Sequence, residues 1–198
     1  MAREQILSLD VGSNTIKAAV AESTKGAKIT LQAGLVKPSR GLRRGVVVDM
    51  EEAASAVNAV LQDIKQVSRS AIKNIYLSIG GADVHTQVSR GIVAVSRASA
   101  EIYKDDVDRV IQASEAVNLP PNRMILHTIT REFIVDGVSD IQEPLGMVGA
   151  RLEVISFVID GFQPAVKNLI KCIELAGGSV SGIIFSPLAS ALAVLTRN

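Results

Sequence analysis

The chain has 198 residues and a formal net charge of +1, and its length suits one ordinary domain or two small ones. This near-neutral charge and the 3% aromatic content argue against nucleic-acid binding, because a basic surface and stacking side chains are both scarce. The single cysteine, Cys172, excludes an internal disulfide, and no signal-peptide pattern opens the sequence, so we expect a cytoplasmic protein.

Hydrophobic periodicity predicts a mixed α/β chain. A capping-box pair, Asp49 and Glu52, marks the start of the first helix. The expected elements are two strands within 5–22, a strand at 28–34, a helix at 50–66, a strand at 74–81, two strands within 84–97, a helix around 107–117, strands at 124–137 and 151–160, a helix that opens with Pro164, a strand at 179–185 and a helix at 188–195.

Glycines before and after a central stretch separate it from the rest of the chain. This stretch has a sheet pattern and one helix of its own, so we expect an inserted subdomain at 82–160, while 1–81 and 161–198 form the other part of the fold.

The uncharged segment Leu175–Thr196 approaches membrane-spanning length. Three glycines and a proline interrupt it, which favours a buried strand and helix, and we predict no membrane span.

The first strand, turn and strand carry polar residues that suit a phosphate site. Backbone amides in a turn of small residues can point at one anion, a nearby lysine can supply a cation, and an acid can hold magnesium through bound water. A plain hairpin with a solvated acid and lysine explains the same residues. No Walker A, CxxC or HExxH pattern offers another site. The candidate residues are Asp10, Gly12, Ser13, Asn14, Thr15 and Lys17.

Several segments resemble one family. The segment "LSLDVGSNTIKAAVAE" is similar to the first phosphate motif of the actin and DnaK-type chaperone superfamily, and "RGVVVDMEEAASAV", "EFIVDG", "PLGMVGARLEV", "NLIKCIELAG" and "PLASALAVLT" resemble the bacterial cell-division family FtsA. The resemblance runs from about Ile6 to Thr196. It implies an α/β, actin-like (ribonuclease H-like) subdomain, 1A, interrupted by a small α+β subdomain of the SHS2 type, 1C, at 82–160.

By this resemblance Asp10 is the magnesium-side acid, Gly12, Ser13 and Asn14 cradle the phosphates, and Lys17 is the phosphate cation. The family closes two lobes over ATP and Mg²⁺, and the motifs of the second lobe would follow the end of this sequence, so we expect an N-terminal half with an incomplete site. Four amides at about 1.5 kcal/mol each, against an association cost of at least ~4 kcal/mol, leave an affinity weaker than about millimolar. We therefore expect this half alone to bind no ATP at sub-millimolar concentrations.

The resemblance implies assembly rather than catalysis. FtsA-type proteins link the FtsZ division ring to the cytoplasmic face of the inner membrane and form filaments, and subdomain 1C contributes to self-association and to contacts with later division proteins. Ser186 stands where some superfamily members have a water-positioning Glu, and we predict that it is a helix N-cap. Alternatives are a PilM-type pilus assembly protein, a small-molecule kinase or ATPase of the same fold, and a nucleotide-free interaction module.

Other chemically active side chains are expected to be structural. His85 and His127 lie on predicted strands without nearby ligands, which disfavours a metal site. Cys172 borders an apolar helix face and is expected to be a packed thiol. Three acids within 105–108 begin a helix, where negative charge favours the helix dipole. The arginines of the loop Arg40–Arg44 are expected to be solvated, with a contact surface for a partner or anionic lipid as the alternative.

Overall fold

The computed structural model describes residues 3–24, 29–81 and 83–195. The chain divides into two compact units, and each builds its own β-sheet. One unit comprises Met1–Asp83 together with Phe162–Asn198. The other unit is the continuous segment Val84–Gly161.

The described residues form eleven strands and four α-helices, with a short 3-10 helix at Ala71–Lys73. In chain order the elements are β1 (Arg3–Val11), β2 (Thr15–Thr24), β3 (Thr30–Pro38), β4 (Leu42–Arg43), β5 (Val46–Val47), α1 (Met50–Val67), β6 (Ile75–Ile79), β7 (His85–Ala94), α2 (Lys104–Ser114), β8 (Arg123–Val135), β9 (Val138–Ile141), β10 (Arg151–Phe162), α3 (Gln163–Leu175), β11 (Val180–Phe185) and α4 (Ser186–Val194).

The first unit contains a five-stranded sheet in the order β11-β6-β1-β2-β3 and a separate hairpin of β4 and β5. β6 is parallel to both β1 and β11, whereas β2 is antiparallel to β1 and β3. The carboxyl ends of β1, β6 and β11 therefore lie side by side: Asp10 and Ile184 each pair with Ser78. Loops that follow parallel strands meet at such an edge.

Helices α1 and α3 pack against each other, and α1 also contacts β2 and β3. α1 begins after Asp49, whose carboxylate accepts the Glu52 amide at 2.9 Å, as the capping pair predicts. Alternation along β1 and β2 directs every second side chain into this core. The fully buried large side chains of the unit include Leu7, Leu9, Ile16, Val20, Val57, Leu61, Ile64, Ile75, Leu77 and Ile173.

The second unit has a four-stranded sheet in the order β7-β10-β8-β9, with α2 packed against β7. Gly91 permits the close approach of this helix, because a Cβ there would overlap the Val110 carbonyl oxygen and lie 2.7 Å from the Ser114 nitrogen. The core of the unit comprises Val95, Ile102, Val110, Phe133, Val135, Leu152 and Val154.

Three secondary-structure predictions differ from the structure. Within 84–97 the structure has the single strand β7 (His85–Ala94) rather than two strands, because Gly91 is a packing position and not a turn. The basic loop contains the hairpin β4–β5. β9 was not expected, although Asp136 and Gly137, with φ of 47° and 88°, form the kind of turn that joins hairpin strands.

In its described part the uncharged C-terminal segment forms the expected strand and helix, but the expected burial is wrong, because β11 is an edge strand without a buried residue and α4 has no buried residue either. It provides strand β11 and then helix α4, which begins two residues earlier than the sequence suggested. Across the ranges that the structure describes, no helix combines the length and apolar character needed to cross a bilayer.

Candidate functional site

A cavity of about 220 Å³ lies where β1, β6 and β11 end. Ligands of open α/β sheets bind beyond the carboxyl ends of parallel strands, so this position agrees with the topology. The lining comes from the β1–β2 turn, the β4–β5 turn, the end of β6, helix α3 and the start of α4. The lining residues are Asp10, Val11, Gly12, Ser13, Arg44, Gly45, Ser78, Ile79, Gly80, Gly81, Leu169 and Ser186.

The β1–β2 turn is closed by its own backbone. The Gly12 amide donates to the Thr15 carbonyl oxygen at 3.0 Å, so this amide is committed to the turn. Ser13 Oγ accepts the Gly45 amide at 2.9 Å and still has its own hydrogen to donate. The affinity estimate made from the sequence used four backbone amides as phosphate donors. The structure leaves at most three of these amides available and adds the Ser13 hydroxyl as a donor.

Asp10 and Lys17 lie directly opposite each other on β1 and β2. Asp10 is half-buried and lines the cavity. Lys17 is exposed and lines a neighbouring depression of about 340 Å³, which Asp10 also borders. Neither charge has an ion-pair partner in the described ranges. Asn14 and Thr15 do not line the cavity, so the structure gathers Asp10 and the first two turn residues and places Lys17 beside them.

Ser186 is the first residue of α4, and its side chain does not cap that helix. Its Oγ lies 2.7 Å from Ser78 Oγ. The predicted N-cap role is therefore wrong, because the hydroxyl bonds across to β6. A Cβ at Gly80 would lie 3.0 Å from Ser186 Oγ, so the glycine leaves room for this hydroxyl pair. One hydroxyl of the pair donates to the other, and the second keeps its hydrogen for a ligand.

The cavity lining fits a phosphate group with a divalent cation. Hydroxyl donors come from Ser13 and the Ser78–Ser186 pair, and α4 begins at the lining with its electropositive end. Arg44 adds a full positive charge. Asp10 is the only carboxylate among the described lining residues, and carboxylates are preferred magnesium ligands. The donors suit an anion, and the single acid suits its counterion.

Sequence reasoning assigned only part of this lining. It missed the contributions of β6, of the β4–β5 turn and of α3. A signal was present at β6, because "SIGG" places small residues directly after a strand, as "DVGS" does after β1. Arg44 and Gly45 carried no comparable signal, because their position depends on a hairpin that the sequence did not predict.

Cys172 and the two histidines were expected to be structural rather than catalytic or metal-binding. Cys172 is buried, with Sγ 3.2 Å from Met50 Sδ, and burial raises the pKa of its thiol, so the prediction of a packed thiol is confirmed. His85 and His127 lie on β7 and β8. Within the part of the chain that the structure describes, no group of three or more His, Cys, Asp or Glu side chains is arranged to hold a metal ion.

Asp106 does more than complement a helix dipole. Its side chain has no exposed surface, accepts the Tyr103 amide at 3.1 Å and forms ion pairs with Arg97 and Arg109. Burial alone would raise the pKa of this carboxyl. The Tyr103 amide and the two guanidinium groups outweigh burial, so the pKa of Asp106 lies below its ordinary value.

Comparisons with known proteins found one family model that matches the second unit and relatives that match nearly the whole chain. Residues 81–160 match the model of the SHS2 domain inserted in FtsA. Cell division protein FtsA of Borreliella burgdorferi is 36% identical over 197 residues, which cover 100% of this chain and 48% of the relative. The FtsA proteins of Pseudomonas aeruginosa and Bacillus subtilis are each 33% identical over 195 residues, or 98% of this chain and 46% and 44% of the relatives. The chain thus spans about half the length of the curated relatives it matches.

The solved structure of a PilM-PilN type IV pilus biogenesis complex contains a chain that superposes with a TM-score of 0.57 at 16% identity, over 96% of this chain and 50% of that chain. At this identity the likeness concerns the fold alone. The protein is therefore of the actin-like α/β class, with an inserted SHS2 domain. Within that class, the chain matches FtsA cell division proteins along 98–100% of its own length at 33–36% identity.

Proposed function

We propose that this chain supplies the first phosphate-binding half of a cell-division protein of the FtsA type. In the full protein it binds Mg²⁺-ATP between two lobes and acts by assembly rather than by turnover. The observation that carries the proposal is the cavity at the ends of three parallel strands, whose hydroxyl donors, arginine and single acid match a magnesium-bound phosphate. The curated relatives, all cell division proteins by name, supply the cellular role.

Each candidate residue has a distinct part in this proposal. Asp10 holds Mg²⁺ through bound water, and the Ser13 hydroxyl donates to a phosphate oxygen. Gly12 closes the turn with its own amide, which leaves the Ser13 amide for a phosphate in the cavity, and Asn14 would reach only a phosphate that extends beyond the cavity lining. Lys17 contacts a phosphate that extends past Asp10 into the neighbouring depression. The remaining member of the set, Thr15, anchors the turn through its carbonyl oxygen.

The isolated chain should bind nucleotide weakly. With the Gly12 amide committed, the other three turn amides contribute at most roughly 4.5 kcal/mol, even if all of them reach the phosphates, against an association cost of at least ~4 kcal/mol. The hydroxyl groups and Arg44 add to this sum, but the nucleoside has no pocket among the lining residues described. We expect affinity weaker than about millimolar, and a second lobe is needed for tight binding.

Slow or absent hydrolysis also follows from the lining. A serine hydroxyl does not accept a proton at neutral pH, so Ser186 cannot act as a general base for an attacking water. Asp10, the only carboxylate among the described lining residues, is assigned to the metal. Phosphate release from Mg²⁺-ATP tests this point: release at background level supports an assembly protein, and sustained turnover would favour the kinase or ATPase alternative.

The second unit is proposed to act as subdomain 1C, over residues 82–160, in self-association and in contacts with later division proteins. Exposed apolar side chains at Leu145, Met147 and Val148 give it a surface that could pack against a second copy. The full protein would meet FtsZ and work at the cytoplasmic face of the membrane at the division site. These partners are inferred from the family and not from contacts within this chain.

A chimera tests the cellular role. This chain replaces the matching part of Bacillus subtilis FtsA, in cells depleted of their own copy. We expect normal septa from the chimera and filamentous cells when it carries Asp10→Ala. The exposed acid on α2 provides a matched control, since Asp108→Asn should leave division intact. Filamentous cells despite normal accumulation of a folded chimera would contradict the proposal.

The PilM-type alternative makes a different biochemical prediction. The same chimera should co-purify with FtsZ and not with a pilus-assembly peptide. Recovery of the pilus peptide, with no enrichment of FtsZ over an untagged control, would favour the alternative instead.

A further inference from the structure

Arg44 occupies an unusual place in the backbone. Arg44 and Gly45 form the two-residue turn between β4 and β5, with φ of 52° and 80°. Such turns require positive φ at both positions, and Asn, Asp or Gly are usual at the first. A long side chain there is less favourable than Asn. The backbone therefore gives no reason for arginine, and the reason has to come from its side chain.

The β4–β5 turn is held at the cavity by a hydrogen bond to a side chain of the β1–β2 turn. The Gly45 amide donates to Ser13 Oγ at 2.9 Å, which fixes this turn to the β1–β2 turn. On the other side, the Arg44 carbonyl oxygen lies 4.0 Å from the Cβ position of Gly81, at the end of β6. Arg44 therefore belongs to the rim that two strand ends define, and it lines the cavity.

The charge of Arg44 is unmatched within the described ranges. Its side chain is exposed and has no ion-pair partner there. The other described cavity residues provide neutral donors and one carboxylate, whereas Lys17 lies in the adjacent depression. A phosphate in the cavity would otherwise meet Asp10 without a cation from the lining. Guanidinium groups bind phosphate oxygens through paired N–H donors, which an extended turn residue can present.

We propose that Arg44 is a further phosphate-binding residue of this site, whose guanidinium contacts a phosphate oxygen of the bound magnesium nucleotide. The inference rests on the proposed phosphate site and adds a residue from the β4–β5 turn to it. It also separates Arg44 from Arg43, which immediately precedes it but does not line the cavity.

Variants of the whole chain test this role. Arg44→Asn removes the charge and suits the turn, whereas Arg43→Asn removes the same charge from the adjacent exposed position. Both are ¹⁵N-labelled and titrated with sodium tripolyphosphate and with Mg²⁺-ATP at constant ionic strength, while the amide shifts of the cavity residues are followed. Arg44→Asn should weaken binding about tenfold and Arg43→Asn less than twofold. Arg44→Lys should fall between them, because it keeps the charge but loses the paired donors.

The outcomes separate the two proposals. Equal affinity of Arg44→Asn and Arg43→Asn, with saturable shifts still in the cavity, would overturn the role of Arg44 and leave the phosphate site standing. Absence of saturable shifts in the unchanged chain would overturn the site, and the role of Arg44 with it. Thermal unfolding of each variant checks the fold. If Arg44→Asn melts at a lower temperature than Arg43→Asn, the two lysine variants are compared instead. Equal affinity of Arg44→Lys and Arg43→Lys for tripolyphosphate would then overturn the role of Arg44.

Discussion

In the unit Val84–Gly161, buried acids are matched with arginines, whereas at the cavity of the other unit the three nearby charges have no ion-pair partners within the described ranges. Matched buried charges hold a scaffold in one arrangement, and removal of one partner is expensive. Unmatched charges around a polar cavity are available to a ligand. The matched acids are Asp106 with Arg97 and Arg109, Glu132 with Arg131, Glu153 with Arg90 and Arg151, and Asp160 with Arg123. The unmatched charges are Asp10, Lys17 and Arg44.

The largest expected effect comes from breaking the Asp106 cluster. Asp106→Asn leaves Arg97 and Arg109 without their buried partner and should lower the free energy of unfolding by about 3 kcal/mol. Asp105→Asn is the matched control, because Asp105 is mostly exposed and also pairs with Arg97, so it should cost less than about 0.5 kcal/mol. Urea denaturation measures both. Equal losses would contradict the distinction between buried and exposed partners.

A smaller loss is expected at Glu153. This acid is 2% exposed, but its partners Arg90 and Arg151 have mostly exposed side chains that can be solvated again. Glu153→Gln should therefore lower the free energy of unfolding by about 2 kcal/mol. Glu143→Gln, at an exposed position, should be neutral in the same denaturation experiment. A neutral Glu153→Gln would show that the buried acids of this unit are not a common scaffold.

The pH dependence of stability tests whether the charged form of Asp106 stabilises the unit Val84–Gly161. The pKa of Asp106 is lower in the folded chain than its ordinary value of 3.8, so its contribution is complete above that value and is lost as pH falls through the folded pKa. The stability difference between the unchanged chain and Asp106→Asn should be constant from neutral pH to about pH 5 and should shrink below pH 4. Denaturation midpoints across this range provide the test, and a difference that grows on acidification would have the wrong sign.

The smallest effect on stability is expected at the cavity. Asp10→Asn removes a half-buried charge that has no ion-pair partner among the described residues, so the free energy of unfolding should change by less than about 0.5 kcal/mol. Binding should change instead: the variant should lose the magnesium dependence of tripolyphosphate binding and keep the magnesium-free component. A large loss of stability would place Asp10 with the scaffold acids.

Local sequence signals predicted most of the first unit. The turn after β1 and the Asp49 cap of α1 depend on neighbouring residues, and the structure has both. The predictions of two strands within 84–97 and of an N-cap at Ser186 were wrong because the roles of Gly91 and Ser186 are set by distant contacts, with α2 and with Ser78 respectively. A single sequence does not distinguish a glycine that allows a helix to pack closely from a glycine that ends a strand.

The candidate site was predicted only at its first strand. Asp10 and Ser13 lie in the cavity because they end a parallel strand, a position that the hairpin pattern indicates. Ser78 reaches the same cavity through the sheet order and Arg44 through the contact of the β4–β5 turn with Ser13, and hydrophobic periodicity encodes neither of these tertiary arrangements. The pairing of the acids in the second unit depends on tertiary approach in the same way.

An amide-resolved NMR titration of the unchanged chain with Mg²⁺-ATP tests the central claim most directly. The account predicts weak, saturable shifts at residues 12–13, 44–45, 78–81 and 186, with the residues of Val84–Gly161 unaffected. Saturable shifts confined to Val84–Gly161, or none at the strand ends at any nucleotide concentration, would contradict it.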